Sequence, residues 1–149
     1  MTVDDTALFF GRLEGGATAS FEASRFALGR KNAMRFEING SAGSLAFDFE
    51  DMNVLHYFDG SRPSTSAGFT RILATEPDHP YLSSWWPPGH GLGYGHGFTH
   101  QVIDLVRAID SGSPARPSFS DGLHVQRVLA AVQDSSAHDS RWQPIPTDN

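Results

Sequence analysis

The sequence predicts an α+β fold: an open antiparallel or mixed β-sheet of about six strands, with two main helices packed on one face. Three observations carry this. Period-two alternation fills the first half of the chain, 3.6-residue periodicity fills the last third, and a long aromatic, Pro- and Gly-rich stretch separates them. The 149 residues suit a single domain, 1–149, large enough to bury a core.

The elements follow in order. Segments 6–14 and 17–27 flank Gly15-Gly16, a dipeptide that tolerates positive φ and so marks a hairpin. In the second segment Ala19, Phe21, Ala23 and Arg25 alternate with Ser20, Glu22, Ser24 and Phe26. LGRKN (28–32) is a turn. Segments 33–39 and 44–50 are strands joined by GSAG, with Leu45, Phe47 and Phe49 opposed to Ala46, Asp48 and Glu50. Segments 53–59 and 69–75 add two more strands. After the loop 76–94, Phe98, Val102, Leu105, Val106 and Ile109 form a helical stripe, and Gly112 stands where a C-terminal cap belongs. A second helix is expected after Ser118, which has capping-box spacing to Asp121. Its Leu123, Val125, Val128, Leu129 and Val132 are placed to pack inward. RWQPI (141–145) reads as a short last strand.

Composition excludes several functions. Eleven basic against seventeen acidic residues give a net charge of −6, with a single lysine, Lys31, which argues against nucleic-acid binding. The absence of cysteine removes disulfides, thiolate metal sites and a cysteine nucleophile. The acidic MTVDD start predicts no signal peptide, and no apolar run is long enough to span a membrane, so a cytoplasmic location is expected. No GxSxG elbow is present. GHGLGYGHG precedes a helix, but proline and tryptophan stand before it where a dinucleotide fingerprint needs a strand.

Two readings of the stretch SSWWPPGHGLGYGHGFTH (83–100) stay open. His96 and His100 lie four apart, and with His90 they could form a three-imidazole metal site for a metal-dependent enzyme. HGFTH, however, lacks the glutamate of HExxH, and hydrogen bonding at a helix start is the simpler role for these rings. Alternatively Trp85, Trp86, His90, Tyr94 and His96 combine ring faces with imidazole nitrogens. That combination suits a sugar: flat apolar faces meet its C–H groups and polar atoms meet its hydroxyls. A pure sugar-binding module fits this second reading. Arg25, Arg30, Lys31 and Asn32 crowd one turn of an otherwise acidic chain and form a second candidate site.

VDDTALFF, LEGGATASFEASRFALGRKN, FEINGSAGSLAFDFEDMNVL, HPYLSSWWPPGHGLGYGH and FSDGLHVQRVL occur in this order. Together they resemble the C-terminal domain of the glucose–fructose oxidoreductase, inositol dehydrogenase and rhizopine-catabolism (Gfo/Idh/MocA) dehydrogenases, from about Val3 to Trp142. The resemblance implies NAD(P)-linked chemistry on sugars or cyclitols in the complete enzyme, with the cofactor on an N-terminal Rossmann domain. The family's EKP-like lysine motif lies in that N-terminal domain, and its catalytic Asp and His lie on a helix that starts the C-terminal domain. This chain matches none of these, and Lys31 is not the catalytic lysine. The resemblance therefore implies no catalytic residue and no bound cofactor for the chain alone. It implies substrate-binding rims at Arg25, Arg30, Lys31 and Asn32 and at Trp86, His90, Tyr94 and His96. It also implies a homodimer formed through the sheet, or a partner subunit carrying the Rossmann domain.

Overall fold

The computed structural model describes residues 4–146; the first three residues of the acidic start lie outside them. The fold is α+β, with six antiparallel strands and two long helices among the described residues, in two compact units, Met1–Ala27 with Ile103–Asn149, and Leu28–Val102.

The first unit holds the hairpin of β1 (Thr6–Arg12) and β2 (Thr18–Ser24), paired from Thr6↔Ser24 to Arg12↔Thr18. Its turn depends on Gly16 at φ +84, with the Leu13 N–H donating to the Ala17 carbonyl at 2.8 Å. Across the pair the Phe9 and Phe21 rings stack with centroids 4.6 Å apart. The unit also takes the C-terminal part of α1 (Tyr94–Ser111) and all of α2 (Phe119–Ala137). At the end of α1, Gly112 at φ +66 donates to the Ile109 carbonyl and Ser113 to that of Ala108, the pair of bonds of a Schellman cap.

The capping box at α2 forms as its spacing predicts. Asp121 N–H donates to Ser118 Oγ at 3.2 Å, and Ser118 N–H donates to Asp121 Oδ2 at 2.6 Å. These bonds to Ser118, followed by the Arg116 charge, hold the Asp121 carboxyl below its ordinary value of 3.8. A lowered carboxyl stabilises the fold above the unfolded pKa, and that contribution is lost as pH falls through the folded one. Ser118→Ala is accordingly expected to cost about 1 kcal/mol at neutral pH. The gap between variant and parent should shrink below about pH 4, which urea titrations at neutral and acid pH will measure.

The second unit is a four-stranded meander of β3 (Arg35–Gly40), β4 (Gly43–Asp48), β5 (Val54–Asp59) and β6 (Thr70–Leu73). Register puts Phe36, Phe47, Leu55 and Ile72 in one row, with Ile38, Leu45 and Tyr57 beside them on the same face. The alternate residues Glu37, Ala46, His56 and Arg71 line the other face. Val54 and Leu82 are the buried apolar side chains among the described residues, joined by Thr75.

The structure departs from the sequence-based expectation in three places. The six expected strands are present and pair antiparallel, but they are shared between a two-stranded and a four-stranded sheet rather than one open sheet. Residues 141–146 form no strand, because Pro144 and Pro146 lack the N–H groups a ladder needs. The segment is instead held by Arg12, whose guanidinium lies 4.4 Å from the Trp142 ring centre, and by an Arg127 bond to the Pro146 carbonyl. Third, the helical stripes exist but stay exposed: Val102, Val106 and Ile109 on α1, and Leu123, Val125 and Leu129 on α2. No helix among the described residues is long and apolar enough to cross a membrane.

Candidate functional site

The second unit gathers most of the residues singled out in the sequence. Its framework is the long segment between β6 and α1, which a single side chain clamps. Asn53, just before β5, donates through Nδ2 to the Leu92 carbonyl at 2.9 Å and accepts the Leu92 N–H on Oδ1 at 2.7 Å. A primary amide thus pairs with a backbone amide as a strand neighbour would. Gly91 is what allows the approach, since a Cβ there would lie 2.8 Å from Asn53 Nδ2. Asn53 also returns a backbone bond, its carbonyl accepting from Ala74 N–H at 2.8 Å.

Within this frame α1 begins at Tyr94, early enough to put His96 and His100 on one face. Both rings meet Trp85. The His96 ring stands edge-on to it at 4.5 Å, and Trp85 Nε1–H donates to His100 Nε2 at 2.7 Å. Tyr81 stacks on the face of the His100 ring at 4.3 Å and 10°, from a left-handed backbone at φ 68. A non-glycine residue in that conformation costs about 1–2 kcal/mol, so the surrounding packing holds it there. His96 Nδ1 accepts the N–H of Gly93, the residue before the helix, at 2.8 Å, which satisfies one of the helix's orphan donors. Trp86 lies edge-on to His96 at 6.3 Å and is half exposed. Tyr81, His96 and His100 also line a cavity of about 200 Å³, together with Met52, Asn53 and Leu82, among others.

The basic turn is tied to the same unit. Glu50 receives Arg30 Nη1 at 3.0 Å and the Lys31 backbone N–H at 2.7 Å. These two bonds, the backbone one first, hold its carboxyl below the usual range. Glu50 sits in the one-turn helix Phe49–Asp51, and Phe49 meets the Tyr94 ring edge-on at 6.0 Å. Both sequence-predicted rims therefore reach one short segment: Arg30 and Lys31 through Glu50, and Tyr94 through Phe49. Asn32 contributes its carbonyl to Met34 N–H within this turn. Arg25 belongs to the first unit, where its N–H donates to the Asp5 carbonyl.

The three imidazoles of the metal reading do not converge. His90 Nδ1 lies 2.9 Å from the Pro87 carbonyl, while His96 and His100 are engaged with Gly93 and Trp85. Among the described residues no group of three His, Asp or Glu side chains is placed to hold an ion. Sequence reasoning missed Asn53, Tyr81 and His100 as parts of the aromatic wall. Asn53 carries no motif, and its role depends on a partner 39 residues away.

Comparison with known proteins shows the family of the chain. The family described as "Oxidoreductase family, C-terminal alpha/beta domain" matches residues 1–145. The chain belongs to this family. It is 38% identical over 145 residues to levoglucosan dehydrogenase of Pseudarthrobacter phenanthrenivorans, covering 97% of this chain and 37% of that protein. Among solved structures, an oxidoreductase domain protein from Kribbella flavida superposes with a TM-score of 0.94 at 65% identity, over 98% of this chain and 39% of that one. Levoglucosan dehydrogenase in complex with NADH and L-sorbose superposes with a TM-score of 0.93 at 36% identity, over 99% and 39%. The chain thus spans about two-fifths of the length of the relatives it matches.

Proposed function

We propose that residues 1–149 act as one substrate-side and oligomerisation domain of a sugar or polyol dehydrogenase, shaping the pocket without performing the chemistry alone. The observation that carries this reading is the joining of the two polar–aromatic rims on Phe49-Glu50, within a chain that matches two-fifths of dehydrogenases solved with NADH and a sugar. Arg30, Lys31 and Asn32 form one rim and Trp86, His90, Tyr94 and His96 the other, all within the second unit, while the substrate-binding role expected of Arg25 belongs to the first unit by itself. Hydride transfer needs a nicotinamide held against the substrate carbon. NAD(P) is assigned to a Rossmann-bearing partner subunit, and exposed apolar residues such as Phe36, Ile38 and Tyr57 on β3 and β5 suit either that partner or a second copy of this chain.

Calorimetry of the full chain with levoglucosan, L-sorbose, inositols and NADH tests the reading. Millimolar sugar binding abolished by Trp86→Ala, with no NADH uptake, is expected. Stoichiometric NADH binding, or oxidation of any of these alcohols by the chain alone, would overturn it. Light scattering is expected to give a dimer. A stable monomer at high concentration would remove the oligomerisation role.

A further inference from the structure

The two histidines of α1 that line the cavity are held by donors of opposite placement. Trp85 Nε1 can only donate, so at 2.7 Å His100 Nε2 must accept. The neutral His100 ring then carries its proton on Nδ1. The Gly93 amide also can only donate, so at 2.8 Å His96 Nδ1 accepts and the proton sits on Nε2. The Gly93 carbonyl lies 3.1 Å from the same Nδ1, but the Gly93 amide is nearer at 2.8 Å with its hydrogen directed at the ring, and a proton on Nδ1 would face that hydrogen, so Nδ1 is the acceptor. Tyr81 fixes the plane of His100 by stacking, and Trp85 packs against both rings. Each imidazole has therefore used its accepting nitrogen inside the protein. The remaining cavity lining is largely apolar, with Met52, Leu82 and Leu92, and the Asn53 amide is engaged with Leu92.

We infer that this cavity is a hydrogen-bond-donor site: His96 through Nε2–H and His100 through Nδ1–H determine specificity for a ligand that presents acceptor oxygens (carbonyl or ether) and little donor capacity. Trp85 is the positioning residue, because its indole N–H decides which nitrogen of His100 keeps the proton. This deepens the sugar-pocket reading by naming the oxygen type selected, and it rests on that reading only for the ligand's biological class.

The test uses the full chain labelled with ¹⁵N-histidine, at about pH 8, where an ordinary imidazole is neutral. Long-range ¹H–¹⁵N spectra, assigned with His96→Gln and His100→Gln, are expected to show His100 as the Nδ1–H tautomer and His96 as the Nε2–H tautomer. Trp85→Phe should move His100 toward Nε2–H and leave His96 unchanged. Titration with dimethyl sulfoxide, which only accepts, should shift both ring signals saturably. Methylammonium, which only donates, should not. Losing the His100 donor in Trp85→Phe should weaken the dimethyl sulfoxide response about fivefold, the worth of one hydrogen bond. His100 found as Nε2–H in the parent chain overturns the inference without reference to any variant. So does a dimethyl sulfoxide titration that moves neither ring, or a methylammonium titration that moves both. Sugar calorimetry is a separate readout, so failure here is distinguishable from failure of the pocket assignment.

Discussion

Asn53→Ala is expected to release the segment between β6 and α1 and to abolish sugar binding while the four-stranded sheet survives. The substitution removes two hydrogen bonds at once, to the N–H and the carbonyl of Leu92, in a half-buried setting. Each net bond is worth about 1 kcal/mol, and leaving partly buried backbone groups unpaired adds to the loss, so about 2–3 kcal/mol of local stability should disappear. Hydrogen exchange at the Leu92 amide would then quicken by one to two orders of magnitude, against a small change at the β4–β5 amides. Asn53→Asp separates chemistry from shape. It keeps an acceptor for the Leu92 N–H but sets a carboxylate oxygen against the Leu92 carbonyl, so it should rescue little. Gly91→Ala should show a weaker form of the same defect, since its methyl would press on a side-chain amide that can yield. If exchange at Leu92 is unchanged in Asn53→Ala, the clamp is not what orders the wall.

The contrast between Asn53 and Ser118 shows which relations are legible in a sequence. Ser118 and Asp121 are three residues apart, and a capping box is a local rule, so both of its bonds follow from residue type and spacing alone. Gly112 and Gly16 are legible for the same reason, each supplying a positive φ that its neighbours require. The alternation in 44–48 also survives in the register of β4. Long-range relations are not legible. The division of six strands into two sheets depends on which edges pair, and alternation does not encode that. His96 is visible as a polar group in an aromatic stretch, whereas His100 enters the sequence reading only as a metal-ligand candidate and not as part of the aromatic wall. Its importance comes from Tyr81 and Trp85, 19 and 15 residues away, which meet it only after the segment folds back. The exposed stripes on α1 and α2 carry a further lesson. Periodicity identifies a face that wants burial, and it does not say whether this chain or another supplies the cover.

Gly43→Ala is expected to give a large loss of global stability, for a reason distinct from turn conformation. Gly43 and Gly60 are not among the glycines with positive φ. What they lack is room. A Cβ on Gly43 would lie far inside van der Waals contact distance of the Phe58 carbonyl oxygen, and one on Gly60 would lie 2.8 Å from the Ala42 carbonyl oxygen. The obstructing atoms are backbone, so no rotamer change relieves either clash. The strands themselves must part where Gly43 pairs with Asp59 and where Gly60 N–H bonds the Ala42 carbonyl at 3.0 Å. Overpacking of this kind costs about 1–3 kcal/mol or more, and Gly43→Ala should lie at the upper end. Gly122→Ala is the control: it stands inside α2 with nothing beyond its own helix backbone and chain neighbours within 4 Å of the added carbon, so it should gain about 1 kcal/mol from helix propensity. Urea midpoints measured side by side should fall for Gly43→Ala and rise for Gly122→Ala. Since both substitutions add the same methyl, only the backbone approach at the β4–β5 end can give them opposite signs. Equal midpoints for the two variants would mean that the strands are farther apart there than the geometry places them.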